Sequence, residues 1–95
     1  MVFEWDLDKA VANLGKHGVS FEAAVEVFGD DFALDIFDRE HSLEEHRFKV
    51  LGLSKQGVLL VVYTVRDEEK YRLISARRAT KTESAAYWDE RKKYE

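Results

Sequence analysis

Cysteine and proline are both missing from this sequence of 95 residues. The absence of cysteine excludes disulfide bonds and thiolate metal sites, so packing must stabilise the fold, as is expected in a reducing compartment. The absence of proline removes one of the two strong markers of chain breaks. The limits of helices and strands must therefore be inferred from glycine, from capping residues and from changes in the spacing of apolar residues.

A long apolar run is also missing. The longest, Val58 to Tyr63, is far too short to cross a bilayer, and Met1 to Asp6 contains no basic region followed by an apolar stretch. We therefore expect a cytoplasmic protein with no membrane association. The length of 95 residues and the 45% hydrophobic content predict one domain, residues 1–95, with one core.

An overall excess of basic residues, the usual indication of a nucleic-acid partner, is absent, because the formal net charge is -4. The distribution of charge is uneven, however. Residues 1–45 contain 12 acidic and 3 basic residues, net -9, whereas residues 46–95 contain 7 and 12, net +5. The second half could therefore bind phosphate while the first half faces a basic partner.

Glycines, capping residues and apolar spacing divide the chain into eight elements. Asp6 or Asp8 caps the first helix, Ser20 caps the second, and Thr80 to Glu83 matches a capping box that opens the last helix. The expected order is strand 2–5, helix to about residue 17, helix 20–28, strands 32–37, 47–53, 58–66 and 70–78, and a C-terminal helix. This β-α-α-β-β-β-β-α order predicts an α+β fold in which helices pack on an antiparallel sheet.

Alternation along the last two hairpins predicts which side chains share a face. The unbroken apolar run from Val58 is typical of a central strand that is buried on both faces. Strict alternation along the last strand groups Leu73 and Ser75 with Arg77, and groups Arg72 and Ile74 with Arg78.

Several short segments stand in order along nearly the whole chain. They are Phe3-Glu4-Trp5-Asp6, Asn13, Lys16-His17-Gly18-Val19, Phe21-Glu22-Ala23-Ala24, Val27-Phe28, the pair Glu45 and Arg47, Leu60-Val61-Val62-Tyr63, Ile74-Ser75-Ala76-Arg77-Arg78-Ala79, Glu83 and Tyr87. Together they resemble the BrnT family of ribonuclease toxins of type II toxin–antitoxin systems. The combination, rather than any single segment, is specific.

The resemblance implies a RelE-like fold, metal-independent cleavage of RNA without a cofactor, and neutralisation by a co-expressed BrnA-like antitoxin that has a ribbon-helix-helix DNA-binding domain. DNA would then be contacted only through the antitoxin, and dimerisation of the antitoxin would make the complex a heterotetramer. The family's usual proline after Trp-Asp is replaced by Leu7, which bears only on where the first helix starts.

Cleavage of RNA without a metal needs a base for the 2′-hydroxyl, cations for the phosphate and an acid for the leaving oxygen. The candidate catalytic cations are Arg47, Arg66 and Arg77, because arginine's planar fork suits phosphate and antiparallel pairing could bring strand ends together. The candidate acids or bases are Glu45 and His17. The alternatives are that the arginines are solvated or paired with carboxylates, and that His17 only caps the end of the first helix.

Candidate substrate-binding residues surround these groups. They are Lys16, Lys49, Arg78 and Tyr87, with Tyr87 available to stack an unpaired base. Glu83 is read first as the reciprocal partner in the capping box. His41 and His46 flank acidic residues, but their spacing follows no known ligand pattern, so no metal site is predicted.

Two further classes of function stay open: a catalytically silent module that binds an antitoxin and takes part in repressing its own operon, and a general nucleic-acid-binding domain. The acidic first half weighs against the second. An enzyme requires Arg47, Arg66 and Arg77 to converge in an open concave site without a structural carboxylate saturating each one. The expected antitoxin complex buries Arg77 and at least one of the other two.

Overall fold

The computed structural model describes residues 1–36, 46–67 and 69–95. Its elements are β1 (Val2–Glu4), α1 (Leu7–His17), α2 (Phe21–Val27), β2 (Leu34–Ile36), β3 (Arg47–Ser54), β4 (Gly57–Arg66), β5 (Lys70–Arg78) and α3 (Lys81–Lys92). The predicted order and the α+β class are confirmed.

Side-chain caps fix where these helices begin. Asp6, not Asp8, accepts a hydrogen bond from the Lys9 amide at the start of α1, and Ser20 accepts one from the Ala23 amide at the start of α2. Both bonds of the predicted capping box are present at the start of α3. Gly18 ends α1 in the left-handed conformation with φ of 69°, which glycine adopts without steric cost.

The sheet has five strands in the order β1-β5-β4-β3-β2. The hairpin-linked strands are antiparallel as predicted, and β4 lies in the middle. The edge strand β1 pairs with β5 in parallel, so the sheet is mixed. This parallel pair covers only residues 70–72 of β5.

A β-bulge in β5 changes the alternation of its side chains. Val62 pairs with Ser75 while Tyr63 pairs with Leu73, so Ile74 is an extra residue. The prediction that Leu73 and Ser75 share a face is wrong, because the extra residue shifts the alternation by one position. Leu73 and Ala76 both lie in the core.

After the bulge, the two arginines at the end of β5 also exchange faces. Ser75 and Arg77 lie on the face of Arg72, whereas Arg78 shares the face of Ala76. The predicted grouping of Arg72 and Ile74 with Arg78 is therefore wrong as well.

The core fills one face of the sheet, beneath α2. It consists of Val19, Phe21, Ala23, Ala24, Val27, Val50, Leu59, Val61, Leu73 and Ala76. Helix α2 approaches β3 so closely that a Cβ on Gly52 would lie 2.5 Å from Cγ1 of Val27. The opposite face is only partly buried, at Leu51 and Leu60, and α3 contacts β3.

A buried asparagine joins α1 to the part of β5 that lies beyond β1. The Asn13 amide nitrogen donates to the carbonyls of Val19 and Ala76, both at 2.9 Å, and its oxygen accepts from the Ala76 N–H at 3.1 Å. The side chain thus satisfies both backbone groups of one residue at the sheet edge. In the described part of the chain, no helix is long and apolar enough to cross a membrane.

Replacing Asn13 by alanine is expected to lower the free energy of unfolding by roughly 2 to 4 kcal/mol, because buried backbone groups of Ala76 and Val19 lose their partners. Val11→Ala, on the exposed side of α1, is the control and should change it by less than about 0.5 kcal/mol. Urea denaturation followed by circular dichroism measures both. Equal stability of the two variants would contradict this role of Asn13.

Candidate active site

A row of polar side chains crosses four strands on the open face of the sheet, the face opposite α2. Arg47 pairs with Thr64, Thr64 pairs with Arg72, and Arg72 pairs with Glu4. Residues that are paired across strands project from the same face, so all four side chains lie side by side. The guanidinium Nη1 of Arg72 lies 3.7 Å from Oε2 of Glu4.

Three members of this row, Arg47, Thr64 and Arg72, line a cleft of about 420 Å³, and Glu4 lies beside it. The cleft is lined by Lys9, Arg47, Thr64, Arg66, Arg72 and Ile74. Four of these six side chains are cationic, and Lys9 comes from α1, one turn before Asn13. Arg66 makes no ion pair within residues 1–36, 46–67 and 69–95. The cleft therefore concentrates positive charge in a concave surface.

A second, shallower pocket of about 270 Å³ adjoins the cleft and shares Lys9 and Ile74 with it. Its lining includes Lys16 and His17 from the end of α1, and Ser75 from β5. The predicted residues Lys16 and His17 thus line a pocket that adjoins the cleft of the predicted residues Arg47 and Arg66. The bulge contributes to this arrangement, because it leaves Ile74 and Ser75 on the same side of β5.

Arg77 does not line the cleft and is bound instead to Glu83. Two nitrogens of Arg77 donate to the two carboxylate oxygens of Glu83, at 2.8 and 3.0 Å. The hydrogen bonds from Arg77 lower the pKa of Glu83 to about 2, and the same contact raises the pKa of Arg77. Because Glu83 also accepts from the Thr80 amide, this ion pair is part of the cap of α3.

The other predicted site residues occupy varied positions. Arg78 donates to the carbonyl of His17 at 3.2 Å and so holds the end of α1. Lys49 lies on the face of Arg47, where it pairs with Val62 rather than lining the cleft. Glu45 lies outside the described residues.

Tyr87 is fully buried, and its hydroxyl donates to Asp30 and accepts from Arg91. Burial raises the pKa of Tyr87. Burial also raises the pKa of Asp30, but hydrogen bonds from Tyr87 and from two backbone amides outweigh it, so the net pKa lies below its ordinary value. This environment favours a structural role for Tyr87 over base stacking.

Three residues line the cleft although the sequence analysis did not predict them as site residues: Lys9, Thr64 and Arg72. Counting outward from the turn at Gln56-Gly57 places Thr64 opposite Arg47. Counting on from the pair of Arg66 and Lys70 places Arg72 opposite Thr64. Register alone could therefore have found these two residues, whereas Lys9 depends on how α1 packs.

The fold is similar to that of a solved ribonuclease toxin. The 1.1 Å crystal structure of the Brucella abortus ribonuclease toxin BrnT superposes with a TM-score of 0.67 at 23% sequence identity, over 85% of this chain and 100% of that one. At this level of identity the likeness shows the fold. A comparison with curated proteins finds no match.

A match between this chain and a family model identifies the class of protein. Residues 5–83 match the family described as the ribonuclease toxin, BrnT, of type II toxin–antitoxin systems. The chain belongs to the BrnT family. Ribonuclease activity, an RNA substrate and an antitoxin partner follow from this membership at the level of the family.

The ion pair of Glu83 predicts how stability depends on pH. Because its pKa in the folded state, about 2, lies below the ordinary 4.5, Glu83 stabilises the fold above that ordinary value and this contribution is lost as pH falls toward 2. Asp30 acts in the same direction. Glu83→Gln should therefore lower Tm at neutral pH and reduce the fall in Tm between about pH 5 and about pH 2. Thermal melts of both proteins across this range measure the effect, and parallel curves would contradict it.

Proposed function

We propose that this chain is an endoribonuclease toxin that cleaves RNA in the cytoplasm without a metal ion, at the cationic cleft, and so inhibits growth until a cognate antitoxin binds. The observation that supports this proposal best is the convergence of Arg47, Arg66 and Arg72 with Lys9 in one open cavity. Several cations in one cavity suit a phosphodiester, whose charge increases as the 2′-oxygen attacks.

The cleft residues divide into two roles. The guanidinium groups of Arg47, Arg66 and Arg72 bind the phosphate and stabilise its developing charge, because each can donate two parallel hydrogen bonds. Lys9, which lines the cleft, or His17, which lines the adjoining pocket, would supply a proton to the leaving 5′-oxygen. Lys16, beside His17, extends the positive surface along the RNA.

Arg77 has a different part in this proposal. Its bidentate contact with Glu83 already uses two of its donors, and it does not line the cleft. We propose that Arg77 holds α3 in place through Glu83 and does not bind the phosphate. Arg78 also does not line the cleft, and its hydrogen bond to the His17 carbonyl indicates that it holds the end of α1.

A silent antitoxin-binding module is the second candidate. One specific observation favours it: Leu7, Val11 and Leu14 form an apolar stripe along α1 and are 76%, 72% and 52% exposed. Such an exposed apolar stripe is typical of a helix that binds another protein. The stripe is compatible with an active toxin as well, so activity decides between the two candidates.

Substitution of Arg66 by alanine should reduce RNA cleavage by about a hundredfold or more, because one cation is lost from the transition state. The folded state should persist, since Arg66 is exposed. Arg66→Lys should restore activity only in part. Lys55→Ala, in the exposed β3–β4 turn, removes the same charge away from the cleft and serves as the control. Growth and total RNA after induction measure all four proteins, and full toxicity of Arg66→Ala would contradict the assignment.

Cleavage should persist in excess chelator, because arginine and lysine side chains supply the positive charge that a metal ion would otherwise supply. Purified protein is incubated with RNA with and without EDTA. Loss of cleavage in EDTA, restored by a divalent cation, would overturn metal independence.

The antitoxin is proposed to cover the cleft and the apolar stripe of α1. A BrnA-like ribbon-helix-helix protein would dimerise and hold two toxins in a heterotetramer, so that only the antitoxin contacts DNA. The net charge of -9 on residues 1–45 would attract its basic DNA-binding surface during association.

Hydrogen exchange of the free and antitoxin-bound chain is expected to show protection in α1 and at the cleft end of β4 and β5, around Arg66 and Arg72. Inhibition is proposed to work by covering the site, so these amides should exchange more slowly in the complex. Protection confined to residues 8–29, with the strand ends unchanged, would show that the antitoxin inhibits from elsewhere.

A further inference from the structure

Glu4 lies between two aromatic residues that fix which way its side chain projects. The Phe3 ring contacts Phe28, and the Trp5 ring contacts Phe21, at centroid distances of 5.0 and 5.8 Å. Both rings belong to the α2 side of the sheet. Because successive residues of a strand project to opposite faces, the Glu4 carboxylate lies on the open face.

On that face Glu4 ends the row that runs through Arg72 and Thr64 to Arg47. Neighbouring strands lie about 4.8 Å apart, so Glu4 is one strand from Arg72 and about 10 Å from Thr64 in the middle of the row. Glu4 does not itself line the cleft but adjoins it through Arg72, so a phosphate held by Arg72 on that side would lie within reach of the carboxylate. In this four-residue row Glu4 is the one carboxylate.

The contact between Glu4 and Arg72 leaves the carboxylate available. Their 3.7 Å separation exceeds hydrogen-bond length, and both side chains are partly exposed, at 35% and 28%. Pairs of this kind stabilise a fold little. By contrast, Glu83 is bound to Arg77 and to the cap of α3, and Asp30 is bound to Tyr87.

We infer that Glu4 is the general base of the cleavage reaction and removes the proton from the 2′-hydroxyl of the bound nucleotide. This inference rests on the proposed function. The 2′-oxygen then forms a bond to phosphorus, the bond from phosphorus to the 5′-oxygen breaks, and the leaving oxygen accepts a proton from the Lys9 side of the cleft. The products are a 2′,3′-cyclic phosphate and a 5′-hydroxyl, and Glu4 returns its proton to solvent.

The test compares Glu4→Gln and Glu4→Asp with wild type on single-stranded RNA of mixed sequence. Glu4→Gln keeps the shape but cannot accept the proton, so kcat should fall by about a hundredfold or more. Its affinity for a 2′-O-methyl RNA, which cannot be cleaved, should be unchanged or tighter. Glu4→Asp should recover part of the lost rate. Glu22→Gln, an exposed carboxylate at the start of α2, is the matched control and should keep the wild-type rate.

Several outcomes would overturn the inference. Full activity of Glu4→Gln, together with inactivity of Arg66→Ala, would remove Glu4 from catalysis and leave the proposed function standing. Weaker binding of 2′-O-methyl RNA by Glu4→Gln, with unchanged kcat, would show that Glu4 only orients Arg72. No cleavage by the wild-type protein would remove the proposed function and the inference together. Thermal melts establish that each variant is folded, and a loss of rate that matches a loss of folded protein would also count against Glu4.

Discussion

The three hydrogen bonds of Asn13 are the constraint on which the shape of the site depends. Strand β1 covers only the first three residues of β5, which would leave the remaining edge of the sheet open. Asn13 closes this gap by satisfying the N–H and C=O of Ala76 from a buried position, 6% exposed. An unsatisfied backbone group would be costly there, so the position of α1 is tightly specified. Lys9 lies one turn before Asn13 and lines the cleft, whereas His17 lies one turn after it and lines the adjoining pocket.

The two faces of the sheet differ, because one holds the core and the other holds the proposed site. Apolar residues and α2 fill one face, and the close approach at Gly52 makes that packing tight. The open face can carry the row of charged and polar side chains because these residues project away from the core. The bulge at Ile74 adjusts the boundary between the two faces, since it keeps Leu73 and Ala76 in the core while Ser75 lies beside the cleft. Bulges are common next to active sites for this reason.

Local sequence signals predicted much of this structure. The caps at Ser20 and Thr80 and the central position of β4 were all available from short-range chemistry. The predictions failed where the outcome depends on how elements pair and pack rather than on local sequence. An extra residue in a strand leaves no mark in the alternation of apolar residues, so the bulge in β5 was missed. Of the predicted site residues, Arg47 and Arg66 line one cleft, whereas Arg77 pairs with Glu83, which lies six residues further on in α3.

The location of the RNA on the open face is tested most directly by titrating the isotope-labelled chain with a 2′-O-methyl RNA and recording amide NMR spectra. We expect the resonances of Arg47, Thr64, Arg66 and Arg72 to shift, together with those of Lys9 and His17, while those of α2 stay in place. Shifts confined to α2, or to the pocket between Phe32 and Tyr94 at the end of α3, would contradict the assignment of the cleft as the RNA site.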